Sequence, residues 1–139
     1  MPAFTEYQVL NDKTWVKDKP YVFSVDIKNA GRYALYINLR YNEDYNFSNI
    51  WVRTNMQAPG EKPVSQRFNI PLFSPDGAPL EDALGDVYFR RFPAQRIEQK
   101  LLPFDATKPG TYTFTLNQEM RTDNLPGIER IGLQVRAMD

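Results

Sequence analysis

Apolar and polar residues alternate with a period of two along most of this sequence, a pattern typical of β-strands with one buried face. The clearest example is the segment TYTFTLNQ, residues 111–118, in which Tyr112, Phe114 and Leu116 alternate with polar residues. Similar runs predict further strands at residues 20–28, 32–40, 49–57, 66–73, 87–92, 96–102 and 129–137. No segment of ten or more residues shows a helical period, and a single helical turn is predicted near residues 118–122.

Glycine and proline separate these runs and predict how the strands connect. Asn29-Ala30-Gly31 lies between the first two runs, which we therefore predict to form an antiparallel hairpin. Pro71 lacks a backbone donor, so the strand at 66–73 is predicted to lie at a sheet edge or to end in a bulge. Together, about eight to ten strands predict an all-β fold, an antiparallel β-sandwich of jelly-roll type. The length predicts a single domain over residues 1–139.

The composition agrees with a globular β protein and excludes some partners. Aromatic residues make up 14% of the sequence, and this richness favours sheets, where rings pack across neighbouring strands. The 17 basic and 17 acidic residues cancel, so the basic excess needed to bind a phosphate backbone is missing and no nucleic-acid partner is predicted. No apolar stretch approaches the ~18 residues that would predict a membrane-spanning helix.

The sequence contains no cysteine and no histidine. Thiolate nucleophiles, Cys/His zinc sites and catalytic triads that use a histidine base are therefore excluded within this chain. Residues 43–49, EDYNFSN, imitate the start of a calcium-binding loop, but Asn49 stands where such loops need glycine and Asn55 where they need glutamate. We interpret the segment as a polar corner, and we predict no metal, no cofactor and no enzymatic activity.

Two charged segments have ordinary structural interpretations. The carboxylates of the loop at 81–86 would serve glycoside hydrolysis only at a fixed separation across a sugar, so an enzyme is the weakest hypothesis. A local basic run is interpreted as outward charge that protects strand edges, in preference to an anion site. This run consists of Arg90, Arg91, Arg96 and Lys100.

Trp51, Tyr36 and Tyr88 fall on strand positions opposite the apolar stripe. Such rings are either buried beneath another segment, the interpretation favoured here, or exposed as a platform that stacks on sugar rings. The second interpretation supplies the alternative function, a carbohydrate-binding β-sandwich module with a glycan partner.

Several segments, in order and spacing, resemble the gliding-motility lipoprotein H family between about Tyr21 and Val135. Near the carboxyl terminus they include Gly110-Thr111-Tyr112-Thr113-Phe114, Gln118-x-Met120-Arg121, Leu125-Pro126-Gly127-Ile128 and Ile131-Gly132-Leu133. Further elements are Leu39-Arg40-Tyr41 with Tyr45-Asn46-Phe47-Ser48-Asn49-Ile50, and Asp76-Gly77 with Leu84-Gly85-Asp86-Val87-Tyr88. A Trp-Leu-Gly element of the family is missing from the middle loop, where Ala78-Pro79-Leu80-Glu81 stands instead.

The resemblance implies a non-catalytic lipoprotein of the bacterial cell envelope that works by protein–protein contact in gliding motility and the linked protein-secretion machinery. It also implies a periplasm-facing domain held at the membrane by an N-terminal lipid anchor, which we expect to precede the present sequence because the lipid-bearing cysteine is absent. The candidate binding surface comprises Arg40, Tyr45, Asn49, Trp51, Tyr88 and Arg121.

The corner QEMRTDNLPGIER, residues 118–130, is predicted to be structural first. Pro126-Gly127 is expected to turn the chain, so that Leu125 and Ile128 pack into the end of the sandwich. Arg121 is expected to bond free carbonyls there, or the carboxylate of Asp44 or Asp123.

Overall fold

The computed structural model describes residues 2–94, 96–97, 100–101 and 104–138. Within these ranges the chain forms fourteen strands and one short 3₁₀ turn at Asn11–Lys13. The strands are β1 (Pro2–Val9), β2 (Thr14–Val16), β3 (Tyr21–Ile27), β4 (Gly31–Asn42), β5 (Asn49–Gln57), β6 (Val64–Pro71), β7 (Asp82–Leu84), β8 (Val87–Pro93), β9 (Arg96–Ile97), β10 (Lys100–Leu101), β11 (Phe104–Ala106), β12 (Gly110–Gln118), β13 (Asn124–Pro126) and β14 (Ile128–Ala137).

Two antiparallel sheets form the body of the fold. One has the order β1-β14-β4-β8-β7, with β11 also paired to β4, and the other has the order β3-β12-β5-β6. Along the chain, the long strands are assigned now to one sheet and now to the other, so each sheet combines segments that are distant in sequence. This interleaving is the jelly-roll form of the β-sandwich, and the predicted fold class is confirmed. Two small pairs, β2 with β13 and β9 with β10, complete the described strands.

The predicted hairpin between residues 20–28 and 32–40 is wrong. Both strands exist, but β3 pairs with β12 and β4 pairs with β14, β8 and β11 in the other sheet. The alternation predicted the buried face of each strand correctly, because Phe23 and Ile37 are both fully buried. A hairpin and a sandwich crossover bury the same residues, so the alternation does not distinguish between them.

Prediction and structure agree on the edge strand and the central strand of the second sheet. β6 is an edge strand that ends at Pro71, as its missing backbone donor predicts. β12 lies between β3 and β5, and its inward residues Tyr112, Phe114 and Leu116 are at most 1% exposed. The predicted strand at 96–102 appears as the two short strands β9 and β10; the rest of that segment and its side chains lie outside the described residues.

In the described part of the chain, one hydrophobic cluster joins the two sheets. Phe68 of β6 meets Phe92 of β8 edge to face, with ring centroids 6.1 Å apart. Phe104 of β11 similarly contacts Tyr112 and Phe114 of β12. At one end Trp15, which is fully buried, pairs in register with Leu125 of β13. In the described residues, no helix is long and apolar enough to cross a membrane.

Candidate functional site

The six residues of the predicted binding surface divide among three clefts. Asn49, Trp51 and Arg121 lie together in a cleft of about 370 Å³ beside the 118–128 corner, which we call the corner cleft. Tyr45 and Tyr88 line a second one, the loop cleft, of about 500 Å³. Arg40 lies apart from both, in a cleft of about 390 Å³ on the outer face of the larger sheet. The structure therefore brings together half of the predicted set.

The side chain of Gln118 shapes the corner. Its amide nitrogen donates to the carbonyl oxygen of Thr122 at 3.1 Å, and its Oε1 accepts from the backbone nitrogen of Met120 at 2.8 Å. Gln118 is only 3% exposed, so these bonds satisfy a buried amide. The helical turn predicted at residues 118–122 is wrong, because side-chain bonds to the backbone hold this segment in a non-helical turn.

The segment Leu125-Pro126-Gly127-Ile128 carries the chain from the small β13–β2 pair into the larger sheet. Leu125 and Ile128 are fully buried, which confirms their predicted packing into the end of the sandwich. Gly127 has a φ of 90°, and a Cβ built on it would lie 2.8 Å from the Cα atom of Tyr45. Glycine is needed here both for the positive φ and for the close approach of two backbone segments.

Tyr45, whose backbone contacts Gly127, has a structural role. Its ring is 4% exposed, and its hydroxyl donates to the carbonyl oxygen of Asn49 at 2.7 Å. Burial raises the pKa of the Tyr45 hydroxyl well above its ordinary value, so the side chain stays neutral. Tyr45 thereby closes the 45–49 loop, the loop that places Phe47 and Asn49 at the corner cleft.

Stacked and paired charges form the floor of the corner cleft. The Arg67 guanidinium lies 4.3 Å from the centroid of the Trp51 ring, so one face of this half-buried indole is covered by a cation. Glu119 accepts hydrogen bonds from Arg53 and forms an ion pair with Arg67 at 3.0 Å. The hydrogen bond from Arg53 is the main cause that lowers the pKa of Glu119, so this carboxylate remains ionised at neutral pH.

Met120 lines the same cleft and contacts the backbone of Trp51. Its sulfur accepts a hydrogen bond from the Trp51 backbone nitrogen at 3.3 Å, and its side chain lies against the core cluster. Its carbonyl oxygen accepts from the Lys17 ammonium at 2.9 Å. Met120 therefore ties the corner to β5.

Arg121 does not make the bonds expected of it. Its side chain is exposed, and in the described part of the chain it bonds neither a corner carbonyl nor the carboxylate of Asp44 or Asp123. Gln118 and Lys17 satisfy the corner carbonyls instead. The guanidinium of Arg121 is consequently available at the mouth of the corner cleft.

The three aromatic residues considered for a sugar platform occupy different surfaces. Tyr36 lies on the outer face of the larger sheet, with the Arg91 guanidinium 3.7 Å from its ring centroid. Trp51 lies on the outer face of the smaller sheet. Tyr88 faces inward, which corrects its predicted register: its ring contacts Tyr41 and Phe73 edge to face.

The register of β8 was ambiguous because each face of VYFRRF holds two apolar residues and an arginine. The structure turns Arg90 inward, where it donates to the Pro71 carbonyl oxygen at 2.7 Å and pairs with Glu81. Glu81 thus serves as an ion-pair partner, whereas Asp82 and Asp86 are exposed. Among the described residues, no group of three or more acidic, histidine or cysteine side chains is arranged to hold a metal ion.

Arg67 and Glu119 of the corner cleft were not predicted from the sequence. Arg67 occupies an outward position in the predicted strand at 66–73. Trp51 likewise occupies an outward position in the predicted strand at 49–57. Their contact depends on the register of β5 with β6, where Arg53 faces Arg67 and Trp51 faces Asn69. That register was not evident from either strand alone.

The fold and its clefts define a jelly-roll β-sandwich domain with aromatic and arginine residues at its surface depressions. The chain belongs to the GldH lipoprotein family, whose model matches residues 3–135. A gliding motility lipoprotein GldH homolog from Christiangramia forsetii is 29% identical, over 99% of this chain and 85% of that protein. The gliding motility lipoprotein GldH of Flavobacterium johnsoniae is 24% identical, over 93% of this chain and 77% of its own length.

Proposed function

We propose that the protein is a non-catalytic, periplasm-facing domain of a lipid-anchored envelope protein, which supports gliding motility and the linked secretion machinery by protein–protein contact. The observation that carries this proposal is the family match over residues 3–135. Two relatives that cover most of the chain are named gliding motility lipoproteins, which supports the same role.

The corner cleft is the proposed contact surface. Phe47 is 39% exposed at its rim, and Trp51 and Arg121 line it. Aromatic residues and arginine are enriched in protein interfaces because they combine large contact area with directional bonding. The Arg121 side chain forms no hydrogen bond or ion pair within the described residues. A carboxylate of a partner protein can therefore pair with its guanidinium without breaking an internal ion pair.

Site-specific photo-crosslinking in native cells tests the proposal. A photoreactive residue replaces Phe47 in the full-length lipidated protein, and crosslinked products are identified by mass spectrometry. The matched control places the same residue at Val64, which is 61% exposed at the beginning of β6, away from the corner cleft. We expect motility or secretion proteins at position 47 and a marked loss of that product in the Arg121→Ala variant.

Two outcomes count against the proposal. If neither position captures such a protein while a known envelope complex is captured in parallel, the contact role is wrong. If position 64 captures the motility component and position 47 does not, the role stands but the corner cleft is not the contact surface.

A further inference from the structure

The outer face of the larger sheet contains a cleft that the proposed function does not use. Neighbouring strands place Tyr7, Gly132, Asn38 and Arg91 in one cross-strand row. The next row on the same face contains Arg130, Arg40 and Phe89. The outer cleft of about 390 Å³ lies over these rows, and its size is within the range of small-molecule sites.

Gly132 makes room for the ring of Tyr7, one of the residues that line this cleft. A Cβ at this position would lie 2.5 Å from a ring carbon of Tyr7, so the Tyr7 ring lies directly over the glycine. Tyr7 is 50% exposed and Phe89 is 37% exposed, and the two rings form apolar walls on opposite sides of the depression.

Asn38 forms the floor of the outer cleft and lacks hydrogen-bond partners. The residue is 6% exposed, and its buried Oδ1 accepts no hydrogen bond from the described part of the chain. Its amide nitrogen likewise has no acceptor among those residues. A buried amide oxygen without a donor costs stability, and such an atom in a native structure calls for an explanation. Because Asn38 lines the outer cleft, a ligand hydroxyl there would accept a hydrogen bond from its amide nitrogen.

The charges around the outer cleft favour an anion. Arg40 is already paired with the buried Glu129 at 2.9 Å, and Arg90 with Glu81. The Arg91 guanidinium donates to the neutral Gln134, at 2.8 Å, and stacks on Tyr36, whereas the Arg91 backbone nitrogen donates to Glu81 at 2.9 Å. Arg91 and Arg130 form no ion pair within the described residues. The carboxylates next to these arginines are already engaged, Glu129 by Arg40 and Glu81 by Arg90, and Asp82 lies opposite Phe89 at the sheet edge.

We propose that the outer cleft binds an acidic sugar, a hexuronate whose carboxylate pairs with Arg91 and Arg130. A ring hydroxyl reaches the Asn38 amide, and the apolar ring edges lie between Tyr7 and Phe89. The stacked guanidinium of Arg91 is held in place before the ligand arrives, which reduces the entropy lost on binding.

NMR titration of the ¹⁵N-labelled chain with digalacturonate tests this assignment. We expect saturable shifts of the Asn38 side-chain amide and of the Arg91 and Arg130 backbone amides. Maltose, an uncharged disaccharide, should produce neither set of shifts. Arg91→Gln and Arg130→Gln should each weaken binding about tenfold, because each removes a charge-assisted hydrogen bond.

The matched control is Arg136→Gln. Arg136 is exposed on the same face of β14 but lies outside the outer cleft, and this variant should bind as tightly as the unmodified chain. Dispersed spectra of all three variants establish that each one is folded.

Several outcomes would overturn the proposal. Absence of a saturable shift at millimolar digalacturonate removes the site. Equal affinity for acetate or inorganic phosphate shows that only the anion is recognised and not the sugar. If Arg136→Gln weakens digalacturonate binding as much as the cleft variants do, the attraction is diffuse and not specific to the outer cleft. If the chain binds phosphatidylglycerol vesicles tightly and does not bind digalacturonate, this face binds a lipid surface instead.

Discussion

At the scale of single residues, Gly127 is the position where a small change should matter most. Its φ is 90°, and backbone atoms of Tyr45 occupy the space that a side chain would need. Gly77 is the natural control, because its φ is 88° but nothing lies within 4 Å of its Cβ position. The two glycines separate backbone strain from steric overlap.

We expect Gly77→Ala to lower the free energy of unfolding by about 1–2 kcal/mol, the cost of a left-handed non-glycine residue. Gly127→Ala should lower it by more than about 3 kcal/mol, because the Tyr45 backbone must also move. Urea unfolding of both variants measures the difference. Equal losses would show that the Gly127 contact relaxes without cost.

Glu119 should make the stability of the folded chain depend on pH in the acidic range. Its pKa in the folded chain lies below its ordinary value of 4.5, chiefly because Arg53 donates to it. Its stabilising contribution is therefore complete above the ordinary pKa, and it is lost as the pH falls through the lower folded value. We expect the unmodified chain to melt at a higher temperature than Glu119→Gln at neutral pH, and the gap to narrow as the pH falls below 4.5 and through the lower folded pKa.

Thermal melts of both proteins across this pH range check the prediction. Asp86→Asn is a suitable control, because Asp86 is exposed and forms no ion pair in the described residues. A Glu119→Gln gap that stays constant from neutral to acidic pH would contradict the assigned cause.

At the scale of elements, strand position should control local opening. Residues 113–116 of β12 are paired with β3 on one side and β5 on the other. Among the described strands β7 pairs only with β8, and all three of its residues are exposed. Backbone amides at sheet edges open without unfolding the core, whereas central ones require it.

We therefore expect the amides of residues 113–116 to exchange with solvent only by global unfolding. The amides of Asp82–Leu84 should exchange faster by roughly a hundredfold or more. Native-state hydrogen exchange followed by NMR measures both sets in the same sample. Similar protection in β7 and β12 would show that the edge strand belongs to the same cooperative unit.

The strands also show which features could be predicted from the sequence and which could not. The faces of β3, β5 and β12 were correct, since burial of alternate residues is a local consequence of strand geometry. The pairing of β3 was wrong, and so was the outward placement of Tyr88. Strand partners and ambiguous faces depend on segments far away in the sequence.

At the scale of the whole molecule, one core cluster includes residues from both sheets. The sheets therefore cannot lose their packing independently. We expect the chain to unfold in one cooperative transition, with calorimetric and van't Hoff enthalpies in a ratio of about 1. Two separate transitions would contradict the prediction of a single domain.

The candidate sites likewise have features that the sequence predicts and features that depend on the tertiary structure. The sequence was sufficient to exclude histidine and cysteine chemistry and to predict the jelly-roll sandwich, because composition and alternation are local properties. It also offered Asn49, Trp51 and Arg121 as candidates for a binding surface, and their binding role stays a prediction. Only the tertiary structure decided that these three share a cleft, that Arg40 pairs with Glu129, and that Asn38 lies unpartnered beside Arg91. Each of these facts depends on cross-strand register, which joins residues as far apart as Arg40 and Arg130 and is set by the packing of the whole core.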